Sequence, residues 1–264
     1  MLTKEIDHLD LKQIAGSGQC FRFKAIDDCK YSVVAFGRYL EITQSGEAFT
    51  FSCDETEFNA IWSQYFDLST DYNYIENLIN TSNDSHLKEA YAHGNGIRIL
   101  RQDLWEMIVT FMISQNNNIK RIAGSVEAIC ERAGYRTPDG KGYRFPMPGE
   151  ISPEFFMDKS LGLGYRDKYL SEIYAFASSN SQWLTVIQSL TYEDAMTALM
   201  ERKGIGKKVA NCISLFGLHH VEAFPIDTHV KQLLEKYYSD GFDYERYDGV
   251  AGIIQQYLFY YELG

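Results

Sequence analysis

Two side chains able to do covalent chemistry mark this chain: Lys208, directly after the turn Gly204-Ile205-Gly206-Lys207, and Asp227, within Phe224-Pro225-Ile226-Asp227-Thr228-His229. Both fall at expected helix starts. A lysine attacks only as the free amine, and the positive end of a helix and the adjacent Lys207 cation both act against the ammonium form. A carboxylate at a helix start is kept ionised by the same dipole. It can stabilise positive charge at a ribose C1′ during base loss and help to move protons. An amine, a carboxylate and a glycine turn able to hold phosphate together suit chemistry on a DNA base or sugar. Taken singly, Lys208 also reads as a surface lysine and Asp227 as an ordinary N-cap.

The elements that must position them follow from periodicity. Residues 193–218 read as helix, Gly-Ile-Gly turn, helix. Glycine lets the backbone approach a ligand, and the following helix start presents free N–H groups and a positive dipole end. That is the physical content of a helix–hairpin–helix phosphate site, which contacts the backbone without reading sequence. Leu104, Trp105, Ile108, Val109, Phe111 and Met112 mark one face of another helix, opened by an Asp103/Glu106 capping box. Ser152-Pro153 predicts a further helix start, and helices are expected over 167–177, 193–201, 207–218, 227–238 and 244–261. Before residue 55 the pattern alternates instead, with strands expected over 20–25, 31–36, 39–43 and 48–52. The fold class is therefore α+β, an N-terminal antiparallel β-sheet lobe (1–98) followed by a mainly α-helical domain (99–264).

The bulk composition sets limits. A net charge of −11 over 264 residues is not that of a protein held to DNA by charge alone. Arg202, Lys203, Lys207 and Lys208 crowd one turn against Glu201, so a focused basic strip on an acidic body is expected. The five cysteines have no CxxC spacing, which argues against a disulfide framework, a zinc knuckle or an iron–sulfur loop. The N-terminus lacks a signal-peptide pattern and the longest apolar stretch, near 107–113, is too short to span a bilayer. A cytoplasmic protein, acting at the nucleoid of a prokaryote and monomeric, is the expectation.

The stretch 203–229 resembles the helix–hairpin–helix glycosylase superfamily. Four further segments resemble the 8-oxoguanine DNA glycosylase/AP lyase family within it: Ser17-Gly18-Gln19-Cys20-Phe21-Arg22, Ser114-Gln115-Asn116-Asn117-Asn118-Ile119-Lys120-Arg121, Leu161-Gly162-Leu163-Gly164-Tyr165-Arg166, and Ala251-Gly252-Ile253-Ile254-Gln255-Gln256-Tyr257-Leu258-Phe259. They occur in the family's order across nearly the whole chain.

The resemblance implies roles. Lys208 would expel the damaged base, form a Schiff base at C1′ and permit β-elimination, with Asp227 as its partner. The Gly18 carbonyl would accept from the N7–H that distinguishes 8-oxoguanine from guanine, whose N7 is itself an acceptor. Cys212 and Phe259 would sandwich the flipped base and Gln255 would read its pairing edge. Gly204, Gly206, Lys207 and His229 would hold the DNA backbone. Asn116 would fill the space left by the base, Tyr165 would wedge the stack, and Arg121 and Arg166 would donate to the unpaired cytosine. The partner implied is double-stranded DNA containing oxidised guanine. No metal ligand set and no redox or organic cofactor is implied, apart from a structural cation at the carbonyls of Met200, Arg202 and Ile205. Arg202-Lys203 stands where the family carries Leu-Pro, and two positive side chains beside such an ion speak against it. Two other readings are a monofunctional alkylated-base glycosylase, which needs Asp227 but not Lys208, and a non-catalytic DNA-binding module.

Overall fold

The alternation of the first fifty residues folds into a five-stranded antiparallel sheet. The computed structural model describes residues 1–264. Strands β1 (Leu2–Glu5), β2 (Phe23–Ala25), β3 (Lys30–Ala35), β4 (Arg38–Ser45) and β5 (Ala48–Phe51) lie in the order β1-β5-β4-β3-β2. Leu40 and Ile42 of β4 and Phe49 and Phe51 of β5 turn to the core on alternate positions, as the period of two requires. Strand β1 was not anticipated. Leu-Thr-Lys-Glu carries one apolar residue, yet it pairs with β5 in the register Leu2↔Phe51 to Glu5↔Ala48, and an edge strand needs no second apolar face. The expected strand over 20–25 is confined to its last three residues.

The helices are α1 (Leu11–Gly16), α2 (Glu55–Glu57), α3 (Ser63–Tyr65), α4 (Tyr72–Asn80), α5 (Ser85–Gly94), α6 (Leu104–Ile113), α7 (Ile119–Ala133), α8 (Asp167–Ser179), α9 (Trp183–Gln188), α10 (Tyr192–Met200), α11 (Lys207–Phe216), α12 (Thr228–Tyr237) and α13 (Ala251–Leu263). A π-helical turn over Phe58–Trp62 joins α2 to α3. Side-chain caps open many of them: Asp103 accepts from Glu106 N at 2.9 Å at the start of α6, and Asn118 from Arg121 N at 3.0 Å at the start of α7. All ten residues of α6 are buried, which accounts for the apolar stretch noted in the sequence. Two boundaries differ from expectation. Ser152-Pro153 opens only a 3₁₀ turn, Pro153–Met157, with no side-chain cap bond. The last helix begins at Ala251, not 244, because Gly249 takes φ 73° and breaks the run.

The chain packs as two compact units. The first is Met1–Ser32, Leu40–Arg101 and His219–Gly264; the second is Val33–Tyr39 and Gln102–Leu218. After the short excursion at 33–39 the chain passes to the second unit at 101/102, and residues 219–264 return to the first unit. They do so because α13 packs on α5: Tyr257 meets Tyr91 edge-on at 5.3 Å. Gly94 admits the helix closely, since a Cβ there would come within 3.2 Å of Tyr260. In the second unit α6 and α11 are joined by the stacked rings of Phe111 and Phe216, 5.3 Å apart.

Candidate functional site

In the second unit, α10, the turn Glu201–Gly206 and α11 form the helix–hairpin–helix foreseen in the sequence. The two glycines of the turn serve different needs. Gly204 takes φ 87°, and a Cβ there would lie 2.9 Å from the Tyr169 ring, so the fold itself requires glycine. Gly206 is the N-cap of α11 with an ordinary φ of −93°, and nothing lies within 4 Å of where its Cβ would be. No packing forbids a side chain at Gly206. Lys207 is exposed and Lys208 half-buried in the first turn of α11. Cys212 lies one turn on, 4% exposed.

The basic strip is weaker than the sequence suggests. Arg202 pairs with Glu201 at 3.0 Å and lies over the Phe176 ring. Lys203 pairs with Glu172 of α8 at 2.8 Å. The two cations that replace the family's Leu-Pro are thus neutralised and drawn onto neighbouring side chains. Lys208 makes no ion pair within its unit, and its Nζ stands 6.0 Å from the centre of the Phe111 ring. Among the hairpin carbonyls, that of Arg202 accepts from Ile205 N at 3.0 Å. No group of three His, Cys, Asp or Glu side chains capable of holding a metal occurs.

Also in the second unit, the α6–α7 connection carries Asn116 in the left-handed region, φ 47°, and exposed. Two side chains hold this loop. Arg166, 4% exposed, donates through Nε to the Gln115 carbonyl at 2.9 Å and through Nη2 to the Asn116 carbonyl at 2.9 Å, with a further Nη2 contact to Gln115 O. Gln115 donates through Nε2 to the carbonyls of Met112 and Gly204, each at 3.0 Å. Tyr165 is 55% exposed, with Arg166 against its ring face at 4.6 Å. Arg121 is exposed on the first turn of α7. So Asn116, Tyr165 and Arg166 come together at one loop. Arg166, expected to donate to a base, spends its donors on backbone carbonyls instead.

The first unit holds the other candidates. Gly18 takes φ 74° in a braced loop. Its neighbour Ser17 accepts from Gln256 Nε2 through its carbonyl at 2.7 Å. Gln19 donates to the Arg98 carbonyl at 3.0 Å and accepts from Leu100 N at 2.8 Å. Gln256 thereby ties the Gly18 loop to the start of α13, beside Gln255, which is 4% exposed with Oε1 unpartnered. A buried amide oxygen without a donor is costly in an ordinary core and suits a group waiting for a ligand. Phe259 follows one turn later, half-buried, with the exposed His229 ring edge-on at 6.3 Å. Asp227 is the N-cap of α12, accepting from Val230 N at 2.9 Å.

Sequence reasoning missed the braces Gln19, Arg98, Gln115 and Gln256. Adjacent Gln255 and Gln256 cannot be told apart by type; the turn of α13 gives one to the loop and leaves the other unpaired. Gln115 offered only a faint signal, a long polar amide directly after a helix end.

The chain is similar to known proteins in sequence and in fold. Residues 1–108 match the family model for the 8-oxoguanine DNA glycosylase N-terminal domain. The chain is 36% identical over 158 residues to an N-glycosylase/DNA lyase of Saccharomyces cerevisiae and 35% over 164 residues to one of Arabidopsis thaliana. Those matches take in 54% and 58% of this chain but only 42% and 44% of the relatives, so the chain spans less than half their length in each alignment. The match to solved structures is fuller. Against Clostridium acetobutylicum 8-oxoguanine glycosylase/lyase in complex with double-stranded DNA containing cytosine opposite 8-oxoG, the TM-score is 0.90 at 33% identity, over 99% of this chain and 97% of that one. The same enzyme in its apo-form gives 0.89 at 34% identity, over 98% and 94%. A relative above 30% identity that is covered almost end to end, with the family's own model on the sheet-bearing N-terminus, settles the membership: this chain belongs to the 8-oxoguanine DNA glycosylase family.

Proposed function

We propose that this protein is a bifunctional DNA repair enzyme that excises 8-oxoguanine opposite cytosine and then cleaves the strand. The observation that carries the reading is Lys208. It stands half-buried in the first turn of α11, beyond a hairpin whose Arg202 and Lys203 are paired, and has no ion-pair partner within its unit. An amine kept out of salt bridges is available as a nucleophile. It attacks C1′ as the base leaves. The resulting Schiff base acidifies the C2′ proton, whose loss drives β-elimination of the 3′ phosphate. Asp227, oriented by its cap bond to Val230 N, stabilises positive charge at the sugar.

The remaining roles follow the family pattern. Gly18 offers its carbonyl to N7–H. Gln255 reads the pairing edge through its amide, and Cys212 and Phe259 enclose the base. Gly206, Lys207 and His229 meet phosphates, while Gly204 shapes the turn. Asn116 and Tyr165 occupy and wedge the duplex, and Arg121 donates to the unpaired cytosine. We assign Arg166 first to holding the Asn116 loop. The enzyme works as a monomer on nucleoid DNA in the cytoplasm, without redox or organic cofactor; no helix is long and apolar enough to cross a membrane.

The test is borohydride trapping on a duplex with one 8-oxoguanine opposite cytosine. A covalent band is expected, absent with guanine at that position and absent for Lys208→Gln. Trapping retained by Lys208→Gln would remove the lysine from this role. Base release without any trapping would favour a water-activating, monofunctional enzyme.

A further inference from the structure

Gln115 stands where three parts of the second unit meet. Its backbone carbonyl is held by Arg166 and adjoins Asn116, the left-handed residue of the α6–α7 loop. Its side chain reaches back to the end of α6, at Met112 O, and across to the hairpin, at Gly204 O. Both neighbours of the amide are carbonyl oxygens, so only the NH2 group fits there and both of its hydrogens are used. Gly204 packs so closely on the Tyr169 ring that a Cβ would not fit, and α11, with Lys208, starts three residues after it. The amide is thus a strut between the loop that carries Asn116 and the turn that carries Lys208.

We infer that Gln115 is a positioning residue that couples occupation of the duplex by Asn116 to placement of the hairpin, and so of Lys208, for base excision. The inference rests on the proposed roles of Asn116 and Lys208. Asparagine tolerates the left-handed region better than most residues, but that tolerance at Asn116, φ 47°, does not by itself fix where the loop sits. The loop needs external ties, and Arg166 and Gln115 supply them. Arg166 fixes the carbonyls of the loop to residues 163–166 only. Gln115 alone among these bonds joins the loop to the hairpin.

The experiment compares single-turnover excision of 8-oxoguanine opposite cytosine with strand cleavage at a preformed abasic site, where no base has to be displaced. Gln115→Ala and the volume-conserving Gln115→Met both remove two hydrogen bonds. Both reactions use Lys208, so both should slow: excision about tenfold, and abasic-site cleavage by less than about threefold, because no base has to be displaced there. Gln115→Glu, which sets a carboxylate against two carbonyls, should fall further. In an Asn116→Ala background the effect of Gln115→Met on excision should shrink to about that same threefold or less, because the strut then has no Asn116 to link to the hairpin. Equal losses in both assays, or an undiminished effect beside Asn116→Ala, would mean that Gln115 serves the hairpin or the fold without linking it to Asn116, and would overturn the coupling. An Asn116→Ala enzyme as fast as the wild type would overturn it too, by removing the role it rests on. Failure of Lys208 is read separately, from the trapping of Lys208→Gln.

Discussion

Asp227 is an N-cap and, on the proposed function, a catalytic carboxylate as well, and the two roles can be separated. Its Oδ1 caps α12 through Val230 N at 2.9 Å, and an N-cap asks only for an acceptor of that shape. Asparagine supplies one equally well. Asp227→Asn should therefore unfold within about 0.5 kcal/mol of the wild type, while losing the negative charge that stabilises the sugar cation. Excision by that variant should drop about 100-fold or more. Asp227→Ala should lose the same activity and in addition about 1 kcal/mol of stability. Thermal unfolding beside single-turnover kinetics on an 8-oxoguanine duplex decides the matter. Undiminished excision by Asp227→Asn would leave the residue a cap and nothing more. The ordinary N-cap of the sequence reading and the catalytic carboxylate are thus not rivals, since the cap bond is what aims the side chain.

At the scale of elements, strongly patterned segments were legible and supported ones were not. The Gly-Ile-Gly hairpin and α6 came out as read, since spacing and caps are local properties. The edge strand β1 and the return of α13 to the first unit depend on β5 and α5, partners distant in sequence, and no local pattern announces them. The same holds for Asp67, which the sequence left unremarked. Fully buried at φ 52°, it meets Arg101 Nε at 2.9 Å and His219 Nε2 at 3.3 Å. Arg101 is the residue at which the chain leaves the first unit and His219 the residue at which it re-enters. Burial acts to raise the Asp67 carboxyl, but its interactions with His219, Thr70 and Arg101 outweigh it and hold the group below its ordinary value. A folded value lower than the unfolded one, ~3.9 for a free aspartate, means that the carboxylate stabilises the fold above that pH. The contribution is lost as pH falls through the depressed folded value. Asp67→Asn should cost about 2 kcal/mol at neutral pH and flatten the loss of stability as pH falls below about 4. Urea unfolding followed across that range checks it. Parallel curves for variant and wild type would place the acid sensitivity elsewhere.

Over the whole molecule, an acidic body must hold an anionic polymer. With a net charge of −11, long-range attraction is absent, and affinity falls to contacts that work at close range: N–H groups at the start of α11, the open backbone at Gly206, and the cations left unpaired. Arg202 and Lys203 do not count among those, because Glu201 and Glu172 engage them. Few phosphates are then neutralised by side chains. The dependence of log affinity on log salt should have a slope of about −2 to −4, where a protein making six to ten phosphate contacts gives roughly −5 to −9. The same pairs make the prediction adjustable. Glu172→Gln and Glu201→Gln together release Lys203 and Arg202 beside the hairpin, which should steepen the slope by about one to two and tighten binding at low salt. Affinity for an undamaged duplex, measured by fluorescence anisotropy from about 50 to 200 mM salt, reports both numbers. A double variant with the wild-type slope would mean that those cations never reach the backbone. A wild-type slope as steep as that of a basic DNA-binding protein would mean that the ion pairs open on DNA and that the acidic pairing is a feature of the free enzyme alone.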